Sequence, residues 1–162
     1  MISKRRFAAF LRRFPRLGKL IIRTYRLSVP RFSAGVVGVL LDEQGRVFMV
    51  EHVFHTDFPW GLPGGWVGRM EEPADALCRE FREETGLNVQ VVRPLMIHKG
   101  QFWGSHLDIA FLLRNNGGLT DITLSPELTN YGWFPPDALP SGISPFSKQV
   151  INFVTERSSI ES

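Results

Sequence analysis

The chain has 162 residues, 43% of them apolar and 22% charged, the balance of one globular domain with room for a sizeable core. A single cysteine, Cys78, excludes an intrachain disulfide framework and fits a reducing compartment, and no apolar run approaches the ~20 residues of a membrane-crossing helix. The net charge of +3 hides a segregation: residues 1–31 hold ten of the nineteen Lys and Arg and no acid, leaving nine bases against sixteen acids in the rest, so the basic character belongs to the N-terminal extension.

Taken in chain order, Phe7, Phe10, Leu11 and Phe14 recur at helical spacing among Lys4, Arg5, Arg6, Arg12 and Arg13. Arg12-Arg13 cut this stretch short of a secretory h-region, so a cytoplasmic location is expected. Pro15 interrupts the helix, since it lacks an N–H and clashes with the preceding turn. A second apolar and basic stretch, Leu17 to Leu27, ends before Pro30. The first reading of residues 1–31 is an extra helix packed on the domain 32–162 or joining two copies in a homodimer, with Phe7, Phe10 and Phe14 at the contact. The second is an amphipathic segment on an anionic membrane surface or against RNA phosphates. The first is preferred, because basic amphipathic helices are common packing elements.

From Ser33 the period changes. Ala34–Leu41 and Arg46–Val53 are apolar runs separated by Asp42-Glu43-Gln44-Gly45, which predicts a hairpin. A loop rich in Phe, Pro and Gly (His55 to Gly65) leads into a helix over Pro73–Thr85, with Pro73 suited to its first position and Gly86 to the residue that ends it. Val89–Ile97 and Leu107–Leu113 predict strands, Tyr131–Phe134 a short one, and Phe146–Glu156 a closing helix. The mixture suggests a layered α/β domain.

The central helix carries two patterns. Ala74, Leu77, Cys78 and Phe81 fall at i, i+3, i+4 and i+7 and form one apolar stripe for the core. Glu80, Glu83 and Glu84 fall at i, i+3 and i+4, where like charges repel. Arg79 reaches Glu83 one turn on but cannot neutralise three carboxylates. Magnesium takes one or two carboxylates together with waters and phosphate oxygens, which suits this spacing. From the three glutamates alone, a solvated acidic face is the commoner explanation.

The flanking residues decide otherwise. Gly65-x5-Glu71-x7-Arg79-Glu80-Phe81-x-Glu83-Glu84-x-Gly86-Leu87 resembles, at every fixed position, the signature of the Nudix hydrolases. Chance would produce such a match in about one chain in 10⁷ at residue frequencies near ~7%. Trp60-Gly61-Leu62-Pro63-Gly64 upstream and Glu127…Trp133-Phe134-Pro135 downstream also resemble that family's flanks, extending the likeness over residues 34–155. The resemblance implies an α/β/α sandwich with a mixed sheet, to which the N-terminal basic helical extension is an addition. It implies hydrolysis of a diphosphate linked to another moiety, with magnesium, or manganese in its place, as cofactor. By the same resemblance Glu83 and Glu84 are metal ligands, Glu80 is a ligand or the general base, and Arg79 orients a glutamate by ion pairing. Gly64 and Gly65 let the backbone approach the metal, with a carbonyl as a further ligand, and Glu71 belongs to the loop–helix–loop scaffold. Glu127 is the best candidate for an additional base or ligand, weighed against an equally good reading as a surface turn residue. Met70 stands where many relatives have a small turn residue, often glycine, a departure from the pattern within this loop.

Nucleobases stack on aromatic faces and phosphates attract Arg, Lys and His. Phe54, His55, Phe58 and Trp60 in the loop entering the signature, and His98, Lys99, Phe102 and Trp103 in a second loop, are the candidates for a nucleotide pocket. His52 and His106 read as structural histidines, and Trp66 as a packing residue. The expected substrate is a nucleoside diphosphate derivative of the nucleotide-sugar or ADP-ribose type, releasing a nucleoside monophosphate. Alternatives are a nucleoside triphosphate (oxidised ones included), an RNA 5′ end, or a non-catalytic nucleotide-sensing or RNA-binding module on the same scaffold.

Overall fold

The computed structural model describes residues 12–100, 104–117 and 122–158. The chain divides into two compact units, with the boundary between Phe32 and Ser33. In the first, α1 (Pro15–Ser28) begins on a proline after a break at Phe14, as the missing N–H requires. None of its residues is buried. Phe7 and Phe10 lie outside the described residues.

The second unit is built on β1 (Ser33–Leu40), β2 (Val47–His52), β3 (Trp60–Gly61), β4 (Gly64–Trp66), α2 (Pro73–Thr85), β5 (Val89–Lys99), β6 (His106–Asn115), β7 (Leu128–Phe134) and α3 (Pro145–Ser158). They form a mixed sheet in the order β4-β1-β6-β5 and an antiparallel sheet in the order β3-β2-β7. β1 runs parallel to β6 from the pair Ser33–His106 to Leu40–Leu113 and antiparallel to β4 from Gly35–Trp66 to Val37–Gly64.

The hairpin expected between the first two apolar runs is corrected by this topology. The turn forms, with Asp42 accepting backbone N–H groups of Gln44 and Arg46, and Leu41 bridges Val47. Beyond that bridge the strands part into different sheets, because both edges of β1 are already occupied by β4 and β6. A continuous Val-rich run marks such a central strand.

Alternation along these strands sorts two cores on opposite faces. Val36 and Leu40 of β1, with Phe48 and Val50 of β2, pack with Leu77 and Phe81 of α2. Val39 of β1, with Val47 and Met49 of β2, packs with Val150, Ile151 and Val154 of α3. Period-two side-chain direction produces this division directly. Gly38 makes room for it: a Cβ there would come within 2.7 Å of the Phe81 ring and 2.3 Å of Leu113. Fully buried Phe81 and Phe48 each stabilise the fold by roughly 2–3 kcal/mol.

Candidate active site

The site begins with the helix that the signature predicted. α2 starts on Pro73 and stops at Gly86, whose φ of 74° is left-handed and whose N–H donates to the Arg82 carbonyl. Of the expected stripe Leu77 and Phe81 are buried and Cys78 partly so, but the buried alanine is Ala76, while Ala74 is only half-buried. That packing fixes the rotation of the helix, and therefore where the glutamates point.

Arg79 is the hub of the charged face. Its Nε donates to Glu71 Oε1 at 2.9 Å and its Nη2 to Glu71 Oε2 at 3.0 Å, a two-pronged pair. Nη1 donates to Glu80 at 2.8 Å and to Glu83 at 3.3 Å, and Nη2 also reaches the Trp66 carbonyl at 3.2 Å. Glu71 in turn accepts the Gly68 N–H at 2.7 Å. Hydrogen bonds from Arg79 and Gly68 hold its carboxyl below the usual range, and those to Glu71 and Glu80 raise the Arg79 pKa further still. Met70, fully exposed, adopts a left-handed φ of 65° in this loop, which accounts for a turn that glycine would make without strain.

Glu84 is the buried member of the group. It accepts the Gly64 N–H at 3.1 Å. Burial, with Glu80 and Glu127 nearby, pushes its pKa up to about 8 against the Gly64 hydrogen bond. Glu80 lies against the other glycine, since a Cβ on Gly65 would fall 2.3 Å from its carboxyl carbon. Glu83 is 59% exposed and faces solvent beside Arg79. Glu127, exposed, arrives from far along the chain. The segment before it docks on the C-terminal end of α2, with Thr123 N–H donating to the Thr85 carbonyl and Ser125 N–H to that of Glu84.

Three carboxylates thus share one locality with too little positive charge, and a hard divalent cation suits that donor set. Among the described residues no three His, Cys, Asp or Glu side chains close into a metal cage. An open arrangement is what magnesium uses when waters and substrate phosphates complete its shell. The residue types fit the ion: Glu80 and Glu127 lie near enough to Glu84 to raise its pKa, and Glu83 meets Arg79 on the same helix.

Beside the two glycines lies a cavity of about 300 Å³, whose wall includes His52, His55, Phe58, Trp60, Trp66 and His106. Of the expected substrate residues, the structure brings His55, Phe58 and Trp60 together here. Lys99 is exposed at the end of β5 and is not among the lining residues, while Phe102 and Trp103 lie outside the described residues. His106 and Asp108 were not singled out for this role. Parallel pairing of β6 with β1 sets Asp108 opposite Gly35, and both line the wall. His106 is buried and satisfied as a structural histidine would be, with Ser33 Oγ 2.8 Å from Nδ1 and Asp108 Oδ1 3.1 Å from Nε2. Trp66 meets it edge to face at 4.9 Å while staying half exposed.

Known proteins resemble this chain in sequence and in fold. An RNA pyrophosphohydrolase of Roseobacter denitrificans is 30% identical over 135 residues, spanning 70% of this chain and 84% of that protein. A CMP-5'-(N-acetyl-N-hydroxy-3-aminopropyl)phosphonate hydrolase of Streptomyces rubellomurinus is 38% identical over 113 residues, 66% of this chain and 53% of that one. In three dimensions an ADP-ribose pyrophosphatase from Streptococcus suis superposes with a TM-score of 0.62 at 23% identity, covering 78% of this chain and 93% of that one, a likeness of fold. The model of the NUDIX domain matches residues 31–153. With the match running through both the sheet and the glutamate helix, the chain belongs to the NUDIX domain family, whose hydrolases act on pyrophosphate bonds.

Proposed function

We propose that this hydrolase cleaves the pyrophosphate bond of a nucleoside diphosphate derivative and releases a nucleoside monophosphate. The supporting observation is the junction at Gly64 and Gly65: these glycines meet the carboxylates of Glu84 and Glu80, and they also line the cavity walled by aromatic and imidazole rings. At about 300 Å³ the cavity is at the small end of ligand sites, suited to one nucleoside rather than two. Trp60 and Phe58 offer faces for the base, and His52 and His55 donors for phosphate oxygens.

In this reading Glu84 and Glu83 hold magnesium, Glu80 holds it or takes the proton from the attacking water, and Glu127 adds a further carboxylate. A Gly64 backbone carbonyl is a further ligand. Magnesium, when bound, supplies charge neutralisation on the phosphoryl oxygens and a more acidic water. Arg79 acts as a positioning residue, fixing Glu80 through Nη1 while Glu71 holds its other edge.

A second reading is an RNA 5′-end pyrophosphohydrolase, favoured by the activity named for the Roseobacter relative and by the ten cations of residues 1–31. One experiment separates them. Nucleotide sugars, ADP-ribose, nucleoside triphosphates and 5′-triphosphorylated RNA are incubated with the protein in magnesium or EDTA, with Glu84→Gln as control. Nucleoside monophosphate from the diphosphate derivatives, lost in EDTA and in the variant, is expected. Turnover of RNA alone would replace the first reading with the second. No turnover of any substrate would leave a nucleotide-sensing module.

A further inference from the structure

The N-terminal helix has two faces that the hydrolase reading leaves unused. At 100° per residue, Arg16, Lys19, Arg23 and Arg26 fall within an arc of about 80°. The rest of the circumference carries no charge and presents Leu17, Leu20, Ile21, Ile22, Tyr25 and Leu27. These side chains are open to water, with Leu20 56%, Tyr25 69% and Leu27 72% exposed. Val29 and Phe32 continue the exposed apolar surface past the helix end.

We propose that α1 lies flat on an anionic lipid surface and brings the hydrolase to it. The occupant must accept apolar side chains along a helix roughly 21 Å long and supply negative charge beside them. A bilayer interface offers both within one layer: acyl chains take the leucines and isoleucines, and headgroup phosphates meet the four cations. Charge complementarity extends beyond the helix, because residues 1–31 contain ten Lys and Arg and no Asp or Glu. RNA would engage the cationic arc and leave the apolar sector in water. A second copy would cover the apolar sector and leave the arc unmatched, since the segment carries no acid to pair with it. No described helix is long and apolar enough to cross a membrane.

The test uses the full chain and vesicles of phosphatidylcholine, with or without phosphatidylserine, in co-sedimentation at low and high salt. Two variants are compared, one with Arg16, Lys19, Arg23 and Arg26 all changed to Gln, the other with Leu20→Gln and Leu27→Gln. Circular dichroism and nucleotide hydrolysis serve as controls for folding, since neither variant touches the active site. The parent should pellet with the phosphatidylserine vesicles only and release at high salt. The charge variant should bind several hundredfold more weakly, about fivefold per cation. The leucine variant should also lose binding, which simple charge attraction would not predict. The inference is overturned if the parent stays in the supernatant, if the leucine variant binds like the parent, or if the two leucines prove to matter only for dimer formation in sedimentation equilibrium. It is also overturned if single-stranded RNA, and not vesicles, is retained through the four cations.

Discussion

Two neighbouring glycines offer a test of how this site is held, because the same added methyl group meets different obstacles. At Gly64 a Cβ would stand 1.9 Å from the Val36 carbonyl oxygen and 2.8 Å from Val37 Cα, both backbone. An ordinary contact needs more than 3 Å, so about 1.3 Å of movement is required. β1 cannot supply it, since β6 holds its other edge along the whole strand. β4 must therefore lift away. Gly64→Ala should cost about 3 kcal/mol, the upper end of overpacking penalties, and lower Tm by roughly 10 °C in a domain of this size. At Gly65 the Cβ would meet only the end of the Glu80 side chain, at 2.3–2.6 Å. A carboxylate can swing aside, so Gly65→Ala should cost less than about 1 kcal/mol. Displacing Glu80 by about 1 Å breaks its bond to Arg79 and should lower kcat by about a hundredfold. Thermal melts by circular dichroism and steady-state hydrolysis measure the two effects. If Gly65→Ala keeps parental turnover, or melts as early as Gly64→Ala, the close packing described at this turn is wrong.

Three further outcomes are expected. Glu71→Gln removes the charge that grips Arg79 and should reduce kcat by about tenfold with little change in KM, as loss of a supporting partner does; an unchanged kcat would show that Glu80 needs no such support. Met70→Gly relieves a left-handed backbone and should raise stability by about 0.5–1 kcal/mol in chemical denaturation, whereas a loss would mean the turn is unstrained. Burial, then the neighbouring His55, lowers the His52 pKa from 6.5 to about 4. The unfolded chain then binds the proton first, so stability present above pH 6.5 should fall as pH drops toward 4. Discounting for partial exposure, the loss should be about 1–2 kcal/mol, and His52→Gln should flatten that portion of the curve.

How much of this could be read from the sequence follows from how local each feature is. The glutamate helix was legible to the residue, since Pro73 and Gly86 act on their own segment and the apolar stripe sets its rotation. β3 and β4 were read as loop because strands of two and three residues show no alternation; they exist through pairing with distant partners. The hairpin expectation failed for a related reason. Asp42 does shape its turn, but whether two apolar runs pair depends on which other strands claim their edges. In the site, the Arg79 and Glu80 pairing was near in sequence. Asp108 in the cavity wall required the parallel register with Gly35, and the approach of Glu127 to Glu84 required Thr123 and Ser125 to dock on the helix end.

The hydrogen bond from Gly64 to Glu84 ties a buried carboxylate to the shortest strand of the mixed sheet, which lies at its margin. Margins of sheets fray before centres do, at a free energy well below that of global unfolding. Each such fraying event would release the Glu84 carboxylate from the one backbone N–H among its described hydrogen bonds and uncouple it from the cavity. Mild urea should therefore silence the enzyme while its ellipticity is still native, with amide exchange at residue 64 running faster than at residue 37.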